Sequence, residues 1–312
     1  MEKKEMPLLS IIIVSYNTKQ ITLDCLESIY KETDPEKVPF EIVLLDNAST
    51  DGSKESLQHF AKEHTNVVFI EEKENIGFGR GNNAAVKQAQ GDYLLLLNSD
   101  IVVLDRGIEK LYQFYIEEEA KVNKGSDMKV GFVGGKLFNK DMTPQASAAP
   151  FYSLPVVFAA LFLRGDYWGL TRNSPDTARR VGWVSGACII AKKEYYQALQ
   201  GFDEDIFMYM EEVDLLYRAK KAGYSCFFCP SAHFIHLGSA SSTTSNKRTA
   251  PILQVYRGFL YLYKKHYSRP ELILLRFMLK LKAGIGIVIG RLFKNNYLIT
   301  TYEEAFKLVT MD

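Results

Sequence analysis

The sequence has no surplus of either charge. Its 312 residues carry 38 Lys and Arg against 37 Asp and Glu, a formal net charge of +1. No global field favours nucleic acid, so any basic patch must be local. There is no run of about 20 uncharged apolar residues, and no transmembrane span is expected. Cysteine is scarce, with only Cys25, Cys188, Cys226 and Cys229. Residues 1–9 are charged and lack the apolar stretch of a secretory leader, so the expectation is a cytoplasmic chain with reduced thiols. Two nucleotide signatures are missing as well. Gly77, Gly79 and Gly81 read G-x-G-x-G rather than G-x-G-x-x-G, and they lie outside the first βα turn. No G-x-x-x-x-G-K-[ST] stretch occurs, which sets aside an NAD enzyme and a P-loop NTPase. Cys226-x-x-Cys229 with His233 and His236 resembles a zinc set only superficially. Odd spacing on a strand puts the two thiols on opposite faces, whereas zinc needs four convergent ligands. Core cysteines are expected instead. No internal repeat or low-complexity tract is found.

What is present is an alternation of apolar runs and amphipathic stretches. Hydrophobic residues make up 47% of the chain, enough for a sizeable core. Residues 8–15, 40–45 and 67–70 predict strands. Residues 21–30 and 54–63 carry apolar positions at helical spacing. Residues 75–83, NIGFGRGNN, predict a glycine-rich loop before a short helix over 84–90. This βαβαβαβ order implies an α/β fold, a mostly parallel sheet with helices on both faces. Further on, 108–119 predicts a helix, 120–129 a loop, 130–138 a strand, 181–192 a strand, and 211–222 a helix ending at Gly223. Residues 224–228 and 232–236 predict one interrupted strand. Residues 142–180, with Pro150, Pro155 and Pro175, argue against a long regular element.

The centre of this pattern is LLLLNSD at 94–100. Four leucines suit a strand buried on both faces. Asn98-Ser99-Asp100 then falls where the strand leaves the sheet, and in open α/β sheets ligands bind outside the carboxyl ends of strands. Asp100 there either caps the next helix or holds a metal against a phosphate. Asp46 ends another strand. Glu211, Glu212 and Asp214 open a helix beside the apolar Met208-Tyr209-Met210. A carboxyl near apolar surface tends towards a raised pKa and can act as a general base.

Seven ordered motifs carry a family resemblance: IIIVSYN, LLDNASTDGS, NIGFGRGNN, LLLLNSD, VSGACIIAKKE, GFDEDIFMYMEEVDLLYR and HLGSAS, spread over residues 8–241. Together they resemble the inverting family 2 glycosyltransferases of GT-A fold. GGKLFNKDMTPQAS at 134–147 is similar to the rhamnosyltransferase-type members. The resemblance implies a nucleotide-diphospho-sugar donor bound by Ser15, Tyr16, Asn17, Asp46, Asn47, Asn75, Gly77, Phe78, Asn82, Asn98 and Ser99, with Asn83 beside them. Tyr16 and Asp46 are implied at the nucleobase. Asn98 stands in the place of the first acid of the D-x-D motif, so Asp100 becomes the principal carboxylate for Mg²⁺ or Mn²⁺, joined by His236. Glu212 aligns with the catalytic base, although Glu-Glu here replaces the family's Glu-Asp and leaves Glu211 as the alternative. Trp183, Asp203 and Asp214 are implied on the acceptor side, and Arg218 pairs with Asp214 at i, i+4. The implied reaction moves a sugar, from dTDP-rhamnose or a UDP-sugar, to a glycan or lipid-linked hydroxyl. Two other readings stay open: a catalytically silent nucleotide-sugar-binding scaffold, and a nucleotidyltransferase.

The expected division is a catalytic domain over 1–245 and a helical extension over 246–312. Residues 253–266 predict an aromatic helix. Residues 272–293 are apolar but studded with Arg276, Lys280, Lys282 and Arg291, a cationic amphipathic pattern. That pattern fits peripheral contact with a membrane, or packing on the catalytic domain or on a second copy in a homodimer.

Overall fold

The apolar runs of the N-terminal half form strands because β-branched and leucine side chains pack well on both faces of a covered sheet. The computed structural model describes residues 8–122, 129–238 and 249–311. In chain order the first elements are β1 (Leu9–Ser15), α1 (Lys19–Glu32), β2 (Phe40–Asp46), α2 (Ser53–Glu63), β3 (Val67–Glu71), α3 (Phe78–Val86), β4 (Tyr93–Leu97) and β5 (Ile101–Leu104). There follow α4 (Gly107–Val122), β6 (Lys129–Phe138), β7 (Pro144–Gln145), β8 (Ala148–Ala149), α5 (Leu154–Phe162), β9 (Arg179–Val181), β10 (Trp183–Val184) and β11 (Cys188–Lys192). The last are α6 (Lys193–Ala198), α7 (Glu211–Lys221), β12 (Tyr224–His236), α8 (Thr249–His266), α9 (Arg269–Leu292) and α10 (Asn296–Met311).

Contacts divide the chain into two compact units. One holds Met1–Ala149, Asn173–Phe207 and Glu211–Ser242; the other holds Pro150–Arg172, Met208–Met210 and Thr243–Asp312. The boundary expected at 245/246 lies outside the described residues. Residues 150–172, expected in the catalytic domain, belong to the second unit, because the apolar α5 packs on α9.

The first unit is built on one mixed sheet in the order β3-β2-β1-β4-β11-β6-β12-β5, with β7 on β6 and β9 on β12. β1, β2, β3 and β4 run parallel, as the βαβ pattern predicts. β11 enters antiparallel between β4 and β6. β1, β2 and β4 are almost wholly buried, and Leu26 and Ile29 of α1 with Leu111 and Tyr115 of α4 close the core on one face. The four cysteines are free thiols, all buried.

Several expectations change. The IVVL at 101–104, given no element in the sequence reading, forms β5, which leaves β4 and pairs antiparallel with β12. The expected glycine-rich loop is mostly helix, and α3 replaces the predicted helix over 84–90. Its glycines serve close approach: a Cβ on Gly81 would lie 3.0 Å from Val14 Cγ1. The 181–192 run is broken at Gly182 and at the Ser185-Gly186 turn into β9, β10 and β11. The 142–180 stretch holds a helix after all. Pro155 falls in the first turn of α5, where its missing N–H costs nothing.

The second unit packs α9 against α10, α8 and α5. Gly286 and Gly290 of α9 lie against Tyr302 and Ile299 of α10, too close for any side chain. α10 has no counterpart among the sequence expectations. Among the described residues no helix is long and apolar enough to cross a membrane.

Candidate active site

The site forms where β4 ends. Asn98 N donates to Ala187 O (3.0 Å), and Leu237 N donates to Asp100 O (3.0 Å). The antiparallel register sets His236 opposite Ile101, which brings the imidazole to the Asn98-Ser99-Asp100 triplet. His236 Nε2 lies 3.4 Å from Asp100 Oδ1 and 3.4 Å from Asn98 Nδ2. Asn98 Oδ1 is buried and accepts no hydrogen bond. A buried amide oxygen without a donor is costly, and it sits in the same triplet as the Asp100 carboxylate.

Ala187 belongs to the turn that also meets the acids of α7. A Cβ built on Gly186 would stand 3.4 Å from Glu212 Cβ and 3.9 Å from its carboxyl carbon. One turn thus receives Asn98 on one side and Glu212 on the other. Glu211 is only 7% exposed, and its Oε2 is buried without a hydrogen bond. Burial first, and the Glu212 charge second, raise the Glu211 carboxyl to about 8. Glu211 therefore holds a proton at neutral pH, and Glu212 is the more accessible acid of the two.

At the end of β2, Asp46 is fully buried. Its Oδ2 accepts from Ser49 N (3.0 Å), while Oδ1 has no partner. Asn17 takes a left-handed φ of 52° and receives Thr50 N on its Oδ1 (2.7 Å). Tyr16 and Phe78 are partly exposed. Asn47 is a staple: its Nδ2 donates to Asn75 Oδ1 (3.0 Å) and its Oδ1 accepts Ile76 N (3.0 Å). Asn75 Oδ1 in turn receives Gly77 N (3.0 Å). These bonds shape the entry to α3. Gly77 has φ +87°, and a Cβ there would meet Phe207 O at 3.0 Å.

Other residues expected at the site are occupied elsewhere. Ser15 is fully buried, and its hydroxyl bonds Thr22 (2.9 Å) and Thr18 (3.2 Å) at the start of α1. Ser99 Oγ lies 3.4 Å from Thr18 Oγ1. Asn82 is 2% exposed and donates to Phe78 O (2.9 Å). Asn83 accepts from Tyr196 OH (2.7 Å) and Phe202 N (3.0 Å) and donates to Phe202 O (2.9 Å), so it ties α3 to the 202 loop rather than lining a donor. Asp214 is fully buried on Arg218 (2.7 Å), which also donates to Gly201 O (2.7 Å). This pairing gives Asp214 a structural role in tying α7 to the 199–201 turn through Arg218. Trp183 is buried at 2% exposure. Asp203 Oδ1 accepts Asp205 N (2.9 Å) in a turn. Ser239, Ala240 and Ser241 of the HLGSAS motif lie outside the described residues.

Among the described residues no three His, Cys, Asp or Glu side chains converge as a complete metal cage. The groups that could hold a cation here are Asp100 and His236, with the unpartnered Asn98 oxygen in the same triplet as Asp100. Oxygen donors with one imidazole suit a hard divalent cation whose remaining positions are filled by water or phosphate, so these residues fit Mg²⁺ or Mn²⁺. Sequence reasoning missed Gly186 and Gln145. Gly186 lay inside what reads as an unbroken strand. Gln145 Oε1 accepts from His236 Nδ1 (2.7 Å), a contact across distant sequence that no local pattern announces.

The model of the family described as Glycosyl transferase family 2 matches residues 10–163. Poly(ribitol-phosphate) beta-glucosyltransferase of Bacillus spizizenii is 33% identical over 43% of this chain and 21% of its own length. N-acetylglucosaminyl-diphospho-decaprenol L-rhamnosyltransferase of Mycobacterium tuberculosis is 28% identical over 64% of this chain and 66% of its own. The chain thus spans a fifth to two thirds of these relatives. Among solved structures, mannosyltransferase PcManGT of Pyrobaculum calidifontis, in complex with GDP-Man and Mn²⁺, aligns over 99% of this chain and 76% of that one, with a TM-score of 0.57 at 15% identity. That likeness gives the fold, GT-A. The family model over residues 10–163 and the GT-A fold agree with one another, so this chain is similar to glycosyl transferase family 2 over about half of its length.

Proposed function

We propose that the chain transfers a sugar from a nucleotide-diphosphate donor to an acceptor hydroxyl, inverting the anomeric carbon. The observation that carries this is the meeting of Asn98, Asp100, His236 and Glu212 around the Ser185–Ala187 turn at the end of β4. The unpartnered Asp46 Oδ1 at the end of β2 suits a nucleobase N–H, with Tyr16 beside it to stack. Asp100, His236 and Asn98 Oδ1 would hold Mg²⁺ or Mn²⁺, which neutralises charge growing on a leaving diphosphate. Glu212 takes the acceptor hydroxyl proton as the oxygen attacks the face opposite the leaving group. Burial and the adjacent Glu212 charge raise the Glu211 carboxyl, and the greater exposure of Glu212 favours it for that role.

The rhamnosyltransferase among the relatives supports dTDP-rhamnose as donor, with a UDP-sugar as the alternative. The lipid-linked compound in that relative's name supports a lipid-linked or glycan acceptor in cell-envelope synthesis. The second unit adds to this. Ile273, Leu274, Phe277, Leu281, Val288 and Leu292 are exposed along α9. At about 100° per residue they share one face, bordered by Arg276 and Lys280 on one side and Lys282 on the other. This is the build of a helix lying on an anionic membrane surface, and it supports the reading of a chain working at the cytoplasmic face of a membrane.

Thermal-shift titration against a panel of nucleotide sugars, with and without Mn²⁺, followed by transfer assays with the best donor, tests the reading. Stabilisation by one nucleotide sugar that grows with Mn²⁺, together with sugar transfer, is expected. Asn98 in place of an acid favours a second reading, a silent nucleotide-sugar binder. Donor binding without transfer or donor hydrolysis would select it.

A further inference from the structure

The motif at 139–145 folds into a hairpin beside the site. Asn139 N donates to Thr143 O (2.8 Å) and Met142 N to Asn139 O (2.9 Å). β7 returns along β6 with Gln145 opposite Leu137, and β6 runs parallel to β12 with Phe138 opposite Ile235. This register sets Gln145 against His236.

Every hydrogen bond in the hairpin has a fixed direction. Asp141 is a carboxylate and only accepts; it receives the Thr143 hydroxyl (2.6 Å) and Thr143 N (3.0 Å). With its proton committed to Asp141, Thr143 Oγ1 can only accept, and it takes Asn139 Nδ2 (2.9 Å). Asn139 Oδ1 therefore faces Gln145 and accepts its Nε2 (2.9 Å). The same Nε2 also donates to His236 O (3.3 Å). Rotating the Gln145 amide by half a turn would set its oxygen against two acceptors. Gln145 Oε1 must then be the atom facing His236 Nδ1 at 2.7 Å, and that nitrogen must carry the proton. We infer that the hairpin relay Asp141–Thr143–Asn139–Gln145 fixes His236 in its Nδ1–H tautomer, so that the Nε2 lone pair is delivered, already aimed, beside Asp100 Oδ1. Gln145 is the positioning residue of the relay. In the free protein Asn98 Nδ2, 3.4 Å away, can donate to this lone pair, and a cation held at Asp100 would take its place. Metal-bound histidines are commonly oriented in this way through their second nitrogen. The usefulness of the relay to metal binding rests on the metal reading above; the tautomer itself does not.

The test uses the full chain, labelled with ¹⁵N-histidine and free of metal, with His236→Gln to identify the His236 signals. Long-range ¹H–¹⁵N correlation is expected to find Nδ1–H in the wild type and Nε2–H in Gln145→Ala. Mn²⁺ titration without donor, followed by electron paramagnetic resonance, is expected to give a Kd weakened about 10–100-fold in Gln145→Ala. A wild-type His236 protonated on Nε2, or a Gln145→Ala protein that stays Nδ1–H, overturns the relay. If the tautomers follow expectation and the wild type takes up no Mn²⁺, the relay stands and the metal reading falls.

Discussion

His236 Nε2 stands 3.4 Å from Asp100 Oδ1, one at the end of β12 and the other in the turn between β4 and β5. The antiparallel pairing of β12 with β5 creates this proximity, so it is built into the sheet and does not depend on a mobile loop. Asp100→Ala removes the only carboxylate of the donor set. Mn²⁺ uptake should fall at least 100-fold, and sugar transfer with it, while the melting temperature stays close to the wild type. Metal-dependent transfer that survived this substitution would remove the centre of the proposed site.

The adjacent acids of α7 divide by environment. Glu212→Gln should lower kcat by about 10²–10⁴-fold, the usual worth of a general base, and leave donor affinity unchanged. Glu211→Gln replaces a carboxyl that is protonated at neutral pH with a neutral isostere and should change kcat by less than about tenfold. Steady-state kinetics on the two variants, with donor binding measured separately, distinguish the roles. A larger loss in Glu211→Gln would exchange them.

Glu211 also predicts a pH dependence of stability. Its folded pKa of about 8 lies above the ordinary value of 4.5, so the folded state binds the proton more tightly than the unfolded chain does. The neutral form is accommodated fully below about pH 4.5, and stability drains away as pH rises through about 8. Glu211→Gln should match the wild type near pH 5 and exceed it at pH 9 in thermal unfolding. Parallel curves across that window would contradict the burial of an uncharged Glu211.

How far the sequence discloses such details depends on their range. β1, β2 and β4 are legible because apolar runs of four or five residues, rich in Ile, Val and Leu, have few other uses. The polar triplet at the end of β4 is legible as well, since topology alone sends it to a ligand-binding edge. α3 misleads because its glycines imitate a loop, although they are there to let Val14 and Phe207 come close. Asn83 and Asp214 mislead for the opposite reason. Polar residues inside a functional motif can be structural, and only their saturated hydrogen bonds disclose it. The Gln145–His236 contact joins two distant segments through three strands in register, and nothing local encodes it.

The entry to α3 is sensitive to one atom. Gly77→Ala would force a left-handed φ of +87° on an L side chain and press a methyl to 3.0 Å from Phe207 O. Such strain costs about 1–3 kcal/mol. An unfolding free energy lowered by that amount in urea titration is expected, seen as a lower midpoint at unchanged slope, together with weaker donor binding, because Asn47 and Asn75 hold the same turn. An unchanged midpoint would mean that this turn relaxes freely.

The apolar face of α9 makes a separate prediction. Ile273, Phe277 and Leu292 are each more than 60% exposed, on a helix whose opposite side, at Leu275 and Leu279, is fully buried in the second unit. Burial of α9 in its own unit therefore leaves this stripe uncovered. Basic residues along both borders add attraction of about 1 kcal/mol each near an anionic surface. The full chain should sediment with vesicles containing anionic lipid and much less with zwitterionic ones. Phe277→Glu with Leu281→Glu should abolish sedimentation at any salt, since it removes the apolar anchor. Lys280→Glu with Lys282→Glu should weaken it mainly at low salt, because screening already suppresses the electrostatic part at high salt. If the stripe instead buries a second copy, the Phe277→Glu and Leu281→Glu protein would lose a dimer in sedimentation velocity, and the wild type would bind neither kind of vesicle.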